Sequence, residues 1–243
     1  MRTDLPGLPD VDGNSAWHRA RAIVTLHFWF KCFGATGFIF VFFLAYVFLL
    51  KNPAYPVTII PATALDRLIP VEPHALPLYL SLWLYVSLPP MLMTSRHAIV
   101  EYGLWVGGLC LAGLTIFYFW PSAVPTADVD WARYPGMAFL KGMDTTGNAC
   151  PSLHVGAAIF SWFWLNSRLR ALGLKRVARI FSTCWCAGII YSTMATKQHM
   201  ALDVVAGAGL ALVFVWVFGK ARQLHGRDDD KQHLPEYGVI EQE

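Results

Sequence analysis

The chain has 243 residues, of which 56% are hydrophobic and 14% charged, and its formal net charge is +3. Soluble domains carry about 25% charged residues, so this composition excludes an ordinary soluble domain and indicates an integral membrane protein. The small excess of basic residues is accounted for by membrane topology, as argued below, and gives no reason to expect a nucleic-acid partner.

Six apolar segments follow one another along the chain. A membrane helix needs about 20 mostly apolar residues, with a range of about 17–25. The sequence therefore predicts an all-α, polytopic membrane protein with six transmembrane helices in one domain, residues 23–220. Residues 1–22 are predicted to be a cytoplasmic N-terminal segment, and the charged residues 221–243 a disordered cytoplasmic tail. The six segments are 24–50, 76–94, 98–120, 153–167, 177–194 and 200–219.

The distribution of lysine and arginine beside these segments predicts their orientation. Of the 19 basic residues, thirteen lie on the side that holds the N-terminus, five lie on the opposite side, and Lys31 lies inside the first segment. Because basic residues concentrate in cytoplasmic loops, both termini are predicted to be cytoplasmic. We expect an integral protein of a bacterial inner membrane, with an active site that faces the periplasm.

Polar residues collect at the outer ends of two predicted helices. In "NACPSLHVGAAIF", Ser152 and His154 open the fourth helix, and in "STMATKQHMALDVVAGAGLAL", His199 and Asp203 open the sixth. Lys197 lies just before the sixth helix. Ionisable groups are costly in a bilayer and usually mark a functional site. Because all five residues lie on one side of the membrane, we interpret them as one composite site.

The residue types and their spacing fit phosphoryl transfer through histidine. His199 and Asp203 are four residues apart and share a helix face, so the carboxylate can hold one imidazole nitrogen protonated and direct the other outward. The helix N-termini favour an anion, and Lys197 and Ser152 add a charge and a donor. His199 would attack phosphorus in line, and His154 would protonate the leaving oxygen and then activate water.

The motifs that carry this site resemble those of a known family. "PSLH" at 151–154 and the spacing Ser192-x6-His199-x3-Asp203 are similar to Pro-Ser-Gly-His and Ser-Arg-x5-His-x3-Asp of the type 2 phosphatidic acid phosphatase superfamily. The combination of "PSLH" with "TKQH" and "LDV" resembles a branch that includes inositol phosphorylceramide synthase-like proteins. The resemblance implies a phosphohistidine on His199, acid–base catalysis by His154, orientation by Asp203, a phosphate contact from the serine of "PSLH", and neither metal nor cofactor.

The sequence departs from the family pattern at its cations. Thr193 stands where the family has a phosphate-binding arginine, and Thr126 stands where the first motif has another. Stabilising transition-state charge is a large catalytic effect, so other cations are needed. We expect Lys197 to bind the phosphate, with Lys141 and Arg133 as two further candidates on the outer side.

These patterns predict a membrane phosphatase that hydrolyses a phospholipid-type or prenyl-type mono- or diphosphate, with the lipid phosphate and membrane lipids as its partners. Two alternatives stay open at this point. The same phosphohistidine could be resolved by an alcohol, which would make the protein a phospho-headgroup transferase between lipids. The missing arginines also leave open a non-catalytic lipid-phosphate binder or transporter, although such a protein would need cations more than a nucleophile.

Overall fold

The structure, a computed structural model, describes residues 16–143 and 148–232, with side chains for residues 20–142 and 148–221. Within these ranges the fold is mainly helical, and two short strands lie in the connecting loops. The helices are α1 (Ala16–Thr25), α2 (Phe28–Lys51), α3 (Ala64–Leu68), α4 (Leu76–Leu80), α5 (Leu82–Met91), α6 (Arg96–Phe119), α7 (Pro135–Met143), α8 (Leu153–Ala171), α9 (Arg176–Ala195) and α10 (Ala201–Gln232), and the strands are β1 (Thr58–Ile59) and β2 (Ser122–Ala123).

Each of the six predicted segments is helical, and three of the helices are long and apolar enough to cross a membrane within the described residues. These are α2, α6 and the Ala201–Ala221 part of α10. The second segment forms two shorter helices that meet at Ser81. Helix α8 packs against α5, α6, α9 and α10, so much of its surface faces protein and does not have to be apolar. Transmembrane placement of α4–α5, α8 and α9 stays a prediction.

The loops that join the helices at one end of the bundle pack against one another. Strand β1 pairs in parallel with β2, and the amide of Ala149 donates to the carbonyl of Ser122 over 2.9 Å. The amide of Glu72 donates to the carbonyl of Ala195, at the end of α9, over 2.8 Å. We call this end the site end, because it gathers the motifs from the fourth and sixth predicted helices.

At the far end of the bundle, a buried lysine joins two helices. The ammonium of Lys31, whose residue is 1% exposed, donates to the carbonyl of Ile23 over 2.6 Å and to that of Met91 over 3.0 Å. These carbonyls lie at the C-terminal ends of α1 and α5, where the helix dipole favours a positive charge. Lys31 therefore fixes α1 and α5 relative to the start of α2.

Two glycines allow α8 and α10 to cross in backbone contact. A methyl group at Gly207 would overlap the carbonyl oxygen of Ser152, and one at Gly156 would lie 3.3 Å from the carbonyl oxygen of Gly207. Small residues permit such close approach between helices in a membrane. The crossing holds the beginning of α8, which carries His154, against the first turns of α10.

The predicted domain boundaries stay a prediction, and helices extend across both of them. Helix α1 starts at Ala16, within the predicted N-terminal segment, and α10 continues to Gln232, so residues 221–232 of the predicted disordered tail are helical. The rest of both predicted segments, residues 1–15 and 233–243, lies outside the described residues.

Candidate active site

The imidazole of His199 is held by a backbone carbonyl. Its Nδ1 lies 3.0 Å from the carbonyl oxygen of Ala149 and 3.8 Å from Oδ2 of Asp203. A carbonyl oxygen only accepts hydrogen bonds, so Nδ1 carries the proton and donates it to Ala149. In the neutral ring, Nε2 then keeps its lone pair and is the atom that can act as a nucleophile.

Asp203 holds the backbone around the site rather than hydrogen-bonding to His199. It is fully buried, its Oδ2 accepts from the amide of Met200 over 2.8 Å, and its carbonyl accepts from the amide of Ser152 over 2.9 Å. The separation of 3.8 Å from His199 exceeds hydrogen-bond distance. The Ala149 carbonyl thus sets the tautomer of His199, whereas the sequence predicts that the Asp203 carboxylate sets it.

Cys150 lies beside this carboxylate. Burial, together with the neighbouring Asp203, raises the pKa of the Cys150 thiol to about 11. The thiol is therefore protonated at neutral pH and can donate to the carboxylate, which an ionised thiolate could not do.

His154 is fixed by a second backbone carbonyl and by an aromatic ring. Its Nε2 lies 2.9 Å from the carbonyl oxygen of Tyr79, and its ring stacks on that of Tyr79 with 4.0 Å between centroids and 12° between planes. Trp83 meets the same imidazole edge-on at 6.4 Å. The carbonyl fixes the proton on Nε2, so Nδ1 is the nitrogen that can exchange a proton with substrate or water. The sequence analysis did not identify Tyr79 as part of the site.

Both histidines line one cavity of about 950 Å³. Gln198, Lys141 and Thr126 also line its site end, and most of the remaining wall consists of apolar side chains from α2, α5 and α6. Ligand pockets of about 300–1,000 Å³ with an apolar wall and a small number of convergent polar groups are typical of small-molecule sites. The arrangement suits an amphiphile whose polar group meets the histidines.

Lys197, the first predicted phosphate contact, makes its hydrogen bonds to the loop that carries α3. Its φ is 52°, and its ammonium donates to the carbonyls of Asp66 over 2.8 Å and Ile69 over 2.7 Å. Burial lowers the pKa of Lys197, and the Asp66 carboxylate offsets part of this effect. In this conformation Lys197 ties the turn between α9 and α10 to α3, and it does not line the cavity.

The two remaining candidate cations differ in position. The ammonium of Lys141 donates to the carbonyl of Lys197 over 2.8 Å and lies 5.6 Å from the ring centroid of Trp131, and Lys141 lines the cavity. Arg133 instead pairs with Asp130 at 3.0 Å, with a side chain that is 78% exposed, and it does not line the cavity. The structure thus brings Lys141, and not Arg133, to the cavity that both histidines line.

The hydroxyl side chains of the two motifs, Ser152 and Thr193, are buried inside the protein. Ser152 is fully buried and its Oγ accepts from the amide of Val155 over 3.3 Å, which caps α8. Thr193, at the position of the family arginine, is fully buried and donates to the carbonyl of Ile190 over 2.8 Å. A phosphate contact from Ser152 stays a prediction, because its side chain serves as a helix cap in this conformation.

Asp66 is a buried carboxylate that the sequence analysis missed. Its Oδ2 accepts from the amide and the hydroxyl of Thr63, each over 2.7 Å, and its Oδ1 accepts from the amide of Ala201 over 2.8 Å. Burial raises the pKa of Asp66, but the hydrogen bonds from Thr63 and Ala201 outweigh it, so that the pKa lies below its ordinary value. The spacing of Thr63 and Asp66 is a local sign of a helix start, whereas the contact with α10 has no local sign.

The histidines, the Asp203 charge and the crossing of α8 with α10 all fall within the C-terminal half of the chain. Residues 121–227 match the family model of the PAP2 superfamily. Comparisons with curated proteins and with solved structures gave no match. The match to the PAP2 superfamily covers both histidine motifs and supports phosphatase or phosphotransferase chemistry in general. Similarity to the inositol phosphorylceramide synthase-like branch stays a prediction.

Proposed function

We propose that the protein is a membrane phosphatase that hydrolyses a phospholipid-type or prenyl-type mono- or diphosphate through a phosphohistidine on His199. The observation that carries this proposal is the pair of histidines that line one large, mostly apolar cavity. In each ring, one nitrogen donates to a backbone carbonyl and the other is left for chemistry. The match to the PAP2 superfamily supports the same reaction class.

The reaction proceeds in two transfers. Nε2 of His199 attacks phosphorus, the P–N bond forms as the ester P–O bond breaks, and protonated His154 gives its Nδ1 proton to the leaving oxygen. Neutral His154 then takes a proton from water, whose oxygen attacks phosphorus and breaks the P–N bond. Phosphate leaves, and both imidazoles return to their starting states.

The phosphoryl oxygens need positive partners during both transfers. Lys141 is the cation at the site end of the cavity, within the described residues, and the N-terminus of α8 adds the positive end of its dipole. Losing one such donor costs about 2.7–4 kcal/mol in comparable sites. We assign to Lys141 the role that the sequence pattern gave first to Lys197.

A phospho-headgroup transferase is the second candidate, and the size of the cavity supports it. At about 950 Å³ the cavity is near the upper end of the range for small-molecule sites, about 300–1,000 Å³. An acceptor alcohol could take the place of water in the second transfer. We also propose that the protein acts on its lipid substrate in a bacterial inner membrane, with the site end facing the periplasm.

The test is release of inorganic phosphate by the protein in lipid nanodiscs, with chelator present and with phosphatidic acid, phosphatidylglycerophosphate and prenyl mono- and diphosphates as substrates. His199→Ala should abolish release, and His74→Ala, an exposed histidine at the site end, is the matched control. His154→Ala should also abolish release, because the first transfer then lacks its acid and the second its base. Release that persists in His199→Ala would refute the mechanism, and transfer of phosphate to an added lipid alcohol without release to water would favour the transferase.

A further inference from the structure

We propose that the cavity holds the hydrocarbon chain of the substrate along its whole length and thereby limits the chain length that the enzyme accepts. This inference rests on the proposed function, because the chain is that of the phosphate ester. It adds a binding site for an aliphatic chain that runs from the histidines at the site end to Lys31 at the far end, both of which line the same cavity.

The wall that α2 contributes has the length of a membrane-crossing chain. The residues of α2 that line the cavity recur every three or four positions from Phe30 to Leu50, so they form one stripe along the helix. At about 1.5 Å per residue this stripe is about 30 Å long, which equals the thickness of the hydrocarbon core of a bilayer. The site end meets α2 at Tyr46, whose carbonyl accepts from Asn148, and the stripe from Tyr46 to Lys31 is about 22 Å long, close to the length of an extended hexadecyl chain. A chain attached to phosphate at His199 can thus stay within apolar surroundings as far as the level of Lys31.

The far end of the cavity is lined by polar groups that already have partners. The Lys31 ammonium donates to two carbonyls, Ser87 donates to the carbonyl of Trp83, and Tyr102 donates to that of Val86. A methylene chain that reached beyond this level would have to displace the Lys31 ammonium from its two carbonyls, which would leave buried polar groups without hydrogen bonds. We therefore infer that the far end limits chain length and does not bind a second headgroup.

Two glycines on α2 provide a matched pair of sites for testing this limit. A methyl group added at either Gly34 or Gly37 would have no heavy atom within 4 Å, so a larger side chain fits at both positions. Gly34 lines the cavity and Gly37 does not. Gly34 is also three residues from Lys31, so a leucine there would occupy the far part of the cavity.

The first experiment compares phosphate release from octyl, dodecyl and hexadecyl phosphate by the wild type, Gly34→Leu and Gly37→Leu in nanodiscs. A hexadecyl chain would be overpacked against the leucine in Gly34→Leu, which costs about 1–3 kcal/mol, whereas an octyl chain ends before this level. The hexadecyl-to-octyl ratio of kcat/KM should therefore fall about 5- to 150-fold in Gly34→Leu. Gly37→Leu should keep the wild-type ratio, and equal ratios in the two variants would overturn the inference.

The second experiment reads the position of the chain without turnover. Hexadecyl phosphate with a terminal diazirine is bound to His199→Ala, irradiated, and the cross-linked peptide identified by mass spectrometry. Cross-links should fall on cavity residues near Lys31. Adding Gly34→Leu to His199→Ala should move the cross-links to other residues, whereas adding Gly37→Leu should not. Cross-links confined to residues outside the cavity would overturn the inference. If the wild type released no phosphate but the cross-links fell near Lys31, the proposed function would fail and the chain site would stand.

Discussion

Replacing Gly207 with alanine tests whether the crossing of α8 and α10 sets the geometry of the site. The added methyl group would overlap the carbonyl oxygen of Ser152 and lie 3.0 Å from its carbonyl carbon, whereas carbon atoms in contact are normally about 3.5–4.0 Å apart. The helices would have to separate by about 1 Å, and a misplacement of this size at a reacting centre can lower a rate about 100-fold. The separation also strains the hydrogen bond from the Ser152 amide to the Asp203 carbonyl.

Gly209→Ala on the same helix is the control, because a methyl group there has no heavy atom within 4 Å. Alanine is the better helix former by about 1 kcal/mol, so this variant should be at least as stable as the wild type. We expect kcat for phosphate release to fall about 100-fold in Gly207→Ala and to stay at the wild-type value in Gly209→Ala. Equal kcat values in the two variants, with equal thermal stability, would refute the argument that this crossing positions the histidines.

Three further predictions concern charged side chains. Lys141→Met should lower kcat by about 100- to 1,000-fold, as loss of one oxyanion donor does, and Arg133→Met should leave kcat unchanged. A steady-state assay in which Arg133→Met lowers kcat and Lys141→Met does not would assign the phosphate contact to Arg133. Asp203→Asn should lower kcat by up to about 1,000-fold, because a charge 3.8 Å from the imidazole contributes about 4 kcal/mol at an effective dielectric of about 20; unchanged kcat would show that Ala149 alone prepares the ring. Asp66→Ala should lower the free energy of unfolding by about 2–4 kcal/mol and Asp66→Asn by less, since hydrogen bonds to a charged group contribute about 1.5–3 kcal/mol each. The pKa of Asp66 in the folded protein lies below its ordinary value of 3.8, so its contribution to stability is present at neutral pH and is lost as the pH falls below that value. Thermal denaturation at decreasing pH should therefore bring the stability of the wild type towards that of Asp66→Ala.

The sequence pattern predicts the helical segments and brings the two histidine motifs to one end of the bundle. Hydrophobic length alone indicates α2, α6 and α10, because these helices expose much of their surface outside the protein. The spacing of the two histidine motifs predicts that His154 and His199 open helices at one end of the bundle. His154 lies in the first turn of α8, whereas His199 lies in the turn before α10, so His199 and Asp203 do not share a helix face as predicted. Both histidines line one cavity.

The parts that could not be predicted depend on backbone conformation and on distant contacts. The acceptors that fix the two imidazoles are main-chain carbonyls, of Ala149 and Tyr79, and residue type carries no information about where a carbonyl points. Asp66 reaches Ala201 across 135 positions of the chain, so no periodic pattern indicates the contact. The direction of the Lys197 side chain follows from the same loop packing, which the sequence does not show. Charge and position alone therefore favour Lys197 over Lys141 as the phosphate contact.

The buried thiol beside Asp203 has a practical consequence for work on the protein. Alkylating and oxidising reagents attack the thiolate, and a pKa of about 11 leaves very little thiolate on Cys150 at neutral pH. The residue is also only 6% exposed, so access adds a second barrier. Maleimide or peroxide treatment should therefore spare Cys150. A cysteine introduced on an exposed loop at the site end can then be labelled with a membrane-impermeant reagent, and the labelling reports which side of the membrane that end occupies.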